Sequence, residues 1–210
     1  MDKAIGERVM IHDQDRSGWF GASDTKFVMA ENRNTKTWLR WWETKLGKAE
    51  PSFTGSIYTR AGNLYEHHIL EAINPDMRMD GQIIIDKLLL RTNYDGYCDG
   101  VIYEVKTHKS DKEFEIVPAY WMQSQVEAFC YKEKFKQWFL PEFKKIYIVS
   151  YALYPDEYYC EDGEIEIDPD RIQLHEIKYE KHWVKAEYLP RLKELARALR
   201  KGRNPIERRK

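Results

Sequence analysis

The dipeptide Asp99-Gly100 constrains the fold of this chain more than any other feature. It separates two runs rich in β-branched and aromatic residues. Asp-Gly is the strongest short-range signal for a two-residue β-turn, because both central residues need positive φ. The spacing predicts a hairpin of strands 88–97 and 101–107, in which Cys98 faces Val101, Tyr97 faces Ile102 and Gly96 faces Tyr103. One step further puts Asp95 opposite Glu104, and cross-strand neighbours share a face with Cβ atoms about 4.5–5.5 Å apart. Lys106 lies two residues beyond Glu104 and points to the same face. Turn geometry alone therefore gathers two carboxylates and an ammonium. Adjacent carboxylates repel, and a cation relieves the repulsion. Hard oxygen donors of this kind suit Mg2+ or Mn2+. The plain alternative is a solvated strand face carrying a Glu–Lys pair. Asp99 is accounted for by the turn itself.

Helical and extended patterns flank the hairpin. Residues 23–30 and 35–46 read as short helices, the second capped by Thr35 and stopped at Gly47, with Trp38, Leu39, Trp42 and Leu46 at helical spacing. Residues 60–73 read as a helix ended by Asn74-Pro75, 82–85 as a strand, 118–137 as a long helix, 145–153 as a strand, 171–179 as a strand and 180–201 as an amphipathic helix. The expected architecture is α/β, a mixed central β-sheet flanked by helices. No linker divides the 210 residues, which are read as a single domain.

Composition bounds the partners. The formal net charge is -1, so nucleic-acid binding would need local basic patches rather than bulk charge. Cys98, Cys130 and Cys160 are too few and too scattered for a disulfide framework or a zinc site. No stretch approaches the roughly 20 apolar residues of a membrane span, and 1–10 lacks the apolar core of a secretion signal. A cytoplasmic protein with no membrane association is expected.

Two more polar residues fall on helices beside the hairpin. In 60–73, Ala61, Leu64, His68 and Ala72 trace one face, and Glu66 sits beside it, where it could lean over a sheet. His67 and His68 are adjacent and point about 100° apart, so they are read as packing or surface residues rather than a zinc pair. In 118–137, Tyr120, Gln123 and Glu127 run along a face next to the apolar stripe, and Gln123 could reach a phosphate or a bound water. Read singly, Glu66 and Gln123 are ordinary helix residues. Trp38, Trp41 and Trp42 read as core packing rather than base-stacking platforms.

The order of these elements carries a resemblance. G-x-x-x-E (Gly62, Glu66) is followed by D-G (Asp95, Gly96), E-V-K (Glu104, Val105, Lys106) and Y-x-x-Q-x-Q (Tyr120, Gln123, Gln125). This resembles the PD-(D/E)XK nuclease superfamily, with its restriction-endonuclease-like core, and more closely the lambda exonuclease and YqaJ-type viral recombinase family. The segment RSGWFGASD, 16–24, is similar to that family's R-x-G-x-[IF]-[GT]-A-S element, and 38–47 to its helix ending in K-x-G. The likeness covers 16–131. Tyr94 stands where the family often has Pro before the first catalytic Asp.

The resemblance implies a metal-dependent deoxyribonuclease, degrading one strand of linear duplex DNA 5′→3′ from 5′-phosphorylated ends in phage-type recombination. Glu66, Asp95 and Glu104, with the Val105 carbonyl, would hold one or two Mg2+ or Mn2+ ions. Lys106 would orient the attacking water, Gln123 would donate a supporting hydrogen bond, and Arg16 and Ser23 would hold the DNA 5′-phosphate. It also implies double-stranded DNA ends as substrate, a single-strand annealing protein as partner, a ring-shaped homotrimer, and a phage- or prophage-encoded protein acting in host cytoplasm. An endonuclease or resolvase of the same superfamily would use the same acids without Arg16 and Ser23. A non-catalytic DNA-binding protein on this fold would have no use for paired acids on a hairpin. Basic residues cluster at 26–48 and from 191 onward, and eight acids with no Lys or Arg occupy 156–170. The acidic segment is expected to lie away from DNA and could meet the basic tail of a neighbouring subunit.

Overall fold

The computed structural model describes residues 17–50, 55–137, 139–161 and 165–205. Six strands form one sheet: β1 (Phe20–Gly21), β2 (Arg78–Ile85), β3 (Leu90–Cys98), β4 (Val101–Lys109), β5 (Lys145–Leu153) and β6 (Ile172–Glu176). The main helices are α1 (Thr25–Val28), α2 (Lys36–Lys45), α3 (Ile57–Ile73), α4 (Pro118–Lys134), α5 (Lys181–Trp183) and α6 (Leu189–Arg200), the last two joined by a π-helical turn at Val184–Tyr188. The expected mixed sheet flanked by helices is therefore present.

Local chemistry explains the boundaries. The Thr35 hydroxyl accepts from the Trp38 amide and starts α2, and Gly47 follows that helix at φ +66°. Ser56 caps α3 in the same way, so the helix starts at Ile57, three residues before the sequence pattern places its start. Pro118 opens α4 where its missing N–H is harmless. The hairpin turn takes the expected form: Asp99 and Gly100 have φ of 48° and 83°. A Cβ on Gly100 would stand 2.0 Å from the Glu142 carbonyl oxygen, so close approach as well as φ requires glycine there. The last strand is shorter than 171–179; it pairs with β5 only over Ile172–Glu176.

Register creates the feature that matters most. β2 runs antiparallel along β3 from Arg78↔Tyr97 to Ile85↔Leu90. β1 pairs parallel with Leu90 and Arg91, and β4 pairs antiparallel with Gly96, Tyr97 and Cys98. Residues 90 and 97 each have β2 on one side, so β1 and β4 share the opposite edge of β3. The four residues 92–95 between them have no ladder partner there. The sheet forks at this point, and β4 turns away to run parallel with β5 over Val101–Lys109.

Two cores cover the two faces. One gathers Phe20, Trp38, Trp42, Tyr94, Ile102 and Tyr188 under α2, α4 and α6. The other gathers Tyr65, Ile69, Leu70, Val105, Val149 and Tyr151 under α3. Trp38 and Trp42 stack with centroids 5.6 Å apart and Phe27 stacks on Trp41 at 4.9 Å, so the tryptophans pack as core, as their spacing indicates. Among the described residues, no helix is long and apolar enough to cross a membrane.

Candidate active site

A cavity of about 460 Å³ opens at the fork. Arg91, Asn93 and Asp95, at alternate positions of β3, form one part of its wall. The turn after β1 contributes Ser23, α3 contributes Glu66, and α4 contributes Gln123 and Glu127.

The hairpin expectation holds to Gly96↔Tyr103 and then changes character. Asp95 does not continue the backbone ladder with Glu104. Its Oδ2 instead accepts from the Val105 N–H at 2.7 Å. A carboxylate has replaced a main-chain carbonyl as the partner of a strand amide, which pins Asp95 exactly where the strands part. Burial, and then the charges of Glu104 and Glu66, hold the Asp95 carboxyl well above the ordinary aspartate range. Burial and Glu104 likewise push Glu66 up to about 7.

Glu104 lies behind the cavity wall, only 3% exposed. Its Oε1 accepts from Lys106 Nζ and from Gln123 Nε2. Burial opposes the Lys106 charge, but Glu104 and Asp95 outweigh it and keep the ammonium protonated beyond the ordinary lysine range. Lys106 also sits 5.4 Å from the Tyr120 ring centroid. The structure links Glu104, Lys106 and Gln123 by hydrogen bonds, fastens Asp95 to the Val105 amide, sets Glu66 where it feels the Glu104 charge, and puts Ser23 on the wall of the cavity that Glu66, Asp95 and Gln123 line. Ser23 is exposed to solvent. Arg16 lies outside the described residues.

Gln123 is arranged differently from the sequence expectation. Both N–H bonds of its amide go to carboxylates, to Glu104 and, at 2.9 Å, to Glu127 Oε1. The second glutamine of the motif, Gln125, is fully buried and structural: it donates to the Lys178 carbonyl at 2.9 Å and accepts from the Glu180 amide at 2.6 Å. The two glutamines of Q-x-Q therefore divide their work between the site and the chain leading into α5.

The sequence reading gave no role in the site to Asp24, Lys45 or Asp80. Asp24 is buried and accepts from the Gly21 amide at 2.7 Å, Trp41 Nε1 at 2.8 Å and Lys45 Nζ at 2.6 Å. Burial would raise its carboxyl, but Lys45 and these donors hold it below the usual range. This pair locks the Ala22-Ser23 turn to the end of α2, so the G-A-S-D and K-x-G segments meet in space. Asp80, at φ 54° within β2, brings its carboxylate 3.2 Å from His67 Nε2. Ligand atoms of Glu66, His67 and Asp80 all lie within 4.8 Å of one another at the cavity mouth.

The donor set fits a hard divalent cation. Several carboxylates converge, one fully buried with an oxygen that lacks a hydrogen-bond partner, Glu127 Oε2. A bound proton or a cation relieves such an arrangement.

No family model and no curated protein matches this chain. Solved structures do. An alkaline exonuclease from Laribacter hongkongensis, LHK-Exo, matches with a TM-score of 0.60 over 89% of this chain and 90% of that one, at 16% identity. The fold is that of these exonucleases. The same exonuclease in complex with dAMP matches at a TM-score of 0.59 and 16% identity. A phage related exonuclease from Haemophilus somnus 129PT matches at 0.60 over 86% of this chain and 92% of its own, with 13% identity. The likeness agrees with the resemblance read from the motifs, and it concerns architecture.

Proposed function

We propose that this protein is a divalent-metal-dependent DNA exonuclease that degrades one strand of duplex DNA from 5′-phosphorylated ends. The observation that carries the reading is the cluster of Glu66, Asp95 and Glu104 with Lys106 at the fork between β3 and β4, in a chain with the exonuclease fold. That a neighbour of this fold was solved with dAMP, a mononucleotide, supports the substrate class.

Glu66, Asp95, Glu104 and the Val105 carbonyl would hold one or two Mg2+ ions, which when bound supply electrophilic stabilisation of the phosphate and a more acidic water. The residues of the chain do the rest. Asp95 and Glu104 are held by the Val105 amide, Lys106 and Gln123 before any ligand arrives, so little reorganisation is needed. Lys106 places a fixed positive charge beside the reacting phosphate. Ser23 offers a hydroxyl to the terminal phosphate, with Arg16 as its proposed companion, and the Asp24–Lys45 pair keeps that turn rigid. By the same resemblance the protein works as a ring-shaped trimer with an annealing partner.

The test is digestion of linear duplexes with 5′-phosphate or 5′-hydroxyl ends, and of closed circles, in Mg2+. Loss of the 5′-phosphorylated strand alone is the expected result, with the Glu104→Gln rate down by about a thousandfold or more. Cutting of circles would replace the reading with an endonuclease. No cleavage of any substrate would remove it.

A further inference from the structure

Glu127 has no place in the ligand set proposed above, yet among the described residues it is the acid whose buried carboxylate oxygen lacks a hydrogen-bond partner. It is fully buried on α4, it lines the cavity, and its Oε2 has no hydrogen-bond partner. Neighbouring hydrogen bonds do not neutralise it. Its Oε1 takes one N–H of Gln123, and Gln123 gives its other N–H to Glu104. Tyr94 donates to the Glu127 main-chain carbonyl at 2.9 Å, which fixes this turn of the helix against β3 without touching the carboxylate. Of the cations near the site, Lys106 pairs with Glu104 and Lys45 with Asp24. A buried carboxyl without a partner is costly to charge, and a glutamine of the same shape would fill the site without that charge.

We propose that Glu127 is a fourth carboxylate of the cation centre, a positioning residue that holds Gln123 against Glu104 and supplies charge that tightens the grip on divalent cations. This rests on reading the cavity as a divalent-cation centre. Gln123 and Glu127 lie one helical turn apart on the same face of α4, so one rigid element presents both to the fork. The amide spans two carboxylates that would otherwise repel. With both its N–H bonds used, its remaining polar atom is an acceptor, suited to a water of the cation's shell rather than to a phosphate oxygen. Outer partners of this kind set ligand orientation and cation affinity.

Glu127→Gln separates this role from packing, because it keeps the shape and removes the charge. Mn2+ binding to the full chain, without DNA, is measured by calorimetry, and thermal unfolding is followed in EDTA. Weakening of Mn2+ binding by about tenfold is expected, together with a variant that melts a few degrees higher than the parent in EDTA, since a buried carboxyl that must be either charged or protonated has gone. Weakening of about fivefold or more sustains the proposal, and anything less overturns it. A lower melting temperature with unchanged Mn2+ affinity would assign Glu127 to packing. Since no DNA is present, a parent that binds Mn2+ but cleaves nothing would remove the nuclease reading and leave this result standing.

Discussion

Glu66 illustrates how one residue couples stability to ligand binding. Its carboxyl is pushed up to about 7 from an ordinary value of 4.5. Between those values the unfolded chain loses the proton and the folded chain keeps it, so folding stability falls as pH rises through that window and is lowest above 7. Asp95 and Glu127 are raised as well and act in the same direction. Asp24 is depressed, and its contribution is lost only in stronger acid. In EDTA the melting temperature is therefore expected to fall between pH 5 and pH 8, with Mg2+ reversing the trend at the upper end. A Glu66→Gln variant should show a flatter profile. A parent profile that rises from pH 5 to pH 8 in EDTA would contradict the buried, mutually repelling carboxylates.

At the scale of elements, the site hangs on how short segments are fastened. β1 has two residues, and the turn that follows it is held by Asp24 and Lys45, whose side chains are 7% and 3% exposed. Lys45→Met leaves a buried carboxylate facing only the Gly21 and Trp41 donors. Removing one partner of such a pair is expected to cost about 3 kcal/mol in urea unfolding, and a change below about 1 kcal/mol would mean water compensates the charge. The hairpin was legible in the sequence because Asp99-Gly100 fixes its own register. Lys106 followed from the period of two. Asp80 was not legible: the sequence pattern starts this strand at 82, so Asp80, at positive φ, fell outside it, and nothing announced that it would lie beside Glu66 and His67. Glu127 could be placed on the right face of α4, but helical spacing does not say which side of that face is buried, and its role stayed hidden. The peeling of β4 away from Asp95 was likewise out of reach, since pattern alone extends a ladder until a turn stops it.

For the whole molecule, charge is arranged in blocks rather than as one field. Helix α6 and its surroundings carry Arg191, Arg197 and Arg200, while the segment before β6 is acidic. Arg171 draws Glu157 and Asp168 of that segment together, the former through two bonds of 2.8 Å. If acidic and basic blocks meet between subunits of the proposed trimer, the assembly should loosen in salt, because 1 M salt shortens the screening length to about 3 Å. Light scattering at low and high salt is expected to show a trimer giving way to monomer. A monomer at both would remove the ring from the proposal.

The tryptophans of α2 give this protein a built-in optical reporter. Trp38, Trp41 and Trp42 stand within 5.4–6.0 Å of one another, and the Trp41 indole is tied to Asp24, next to Ser23 on the cavity wall. Rings that close share their electronic excitation, and the sign and size of the resulting circular dichroism depend on their mutual angles. If a DNA end seats against Ser23 as proposed, it presses on the turn that sets the angle of Trp41, and its binding is expected to show as a change in ellipticity, with no label on either molecule.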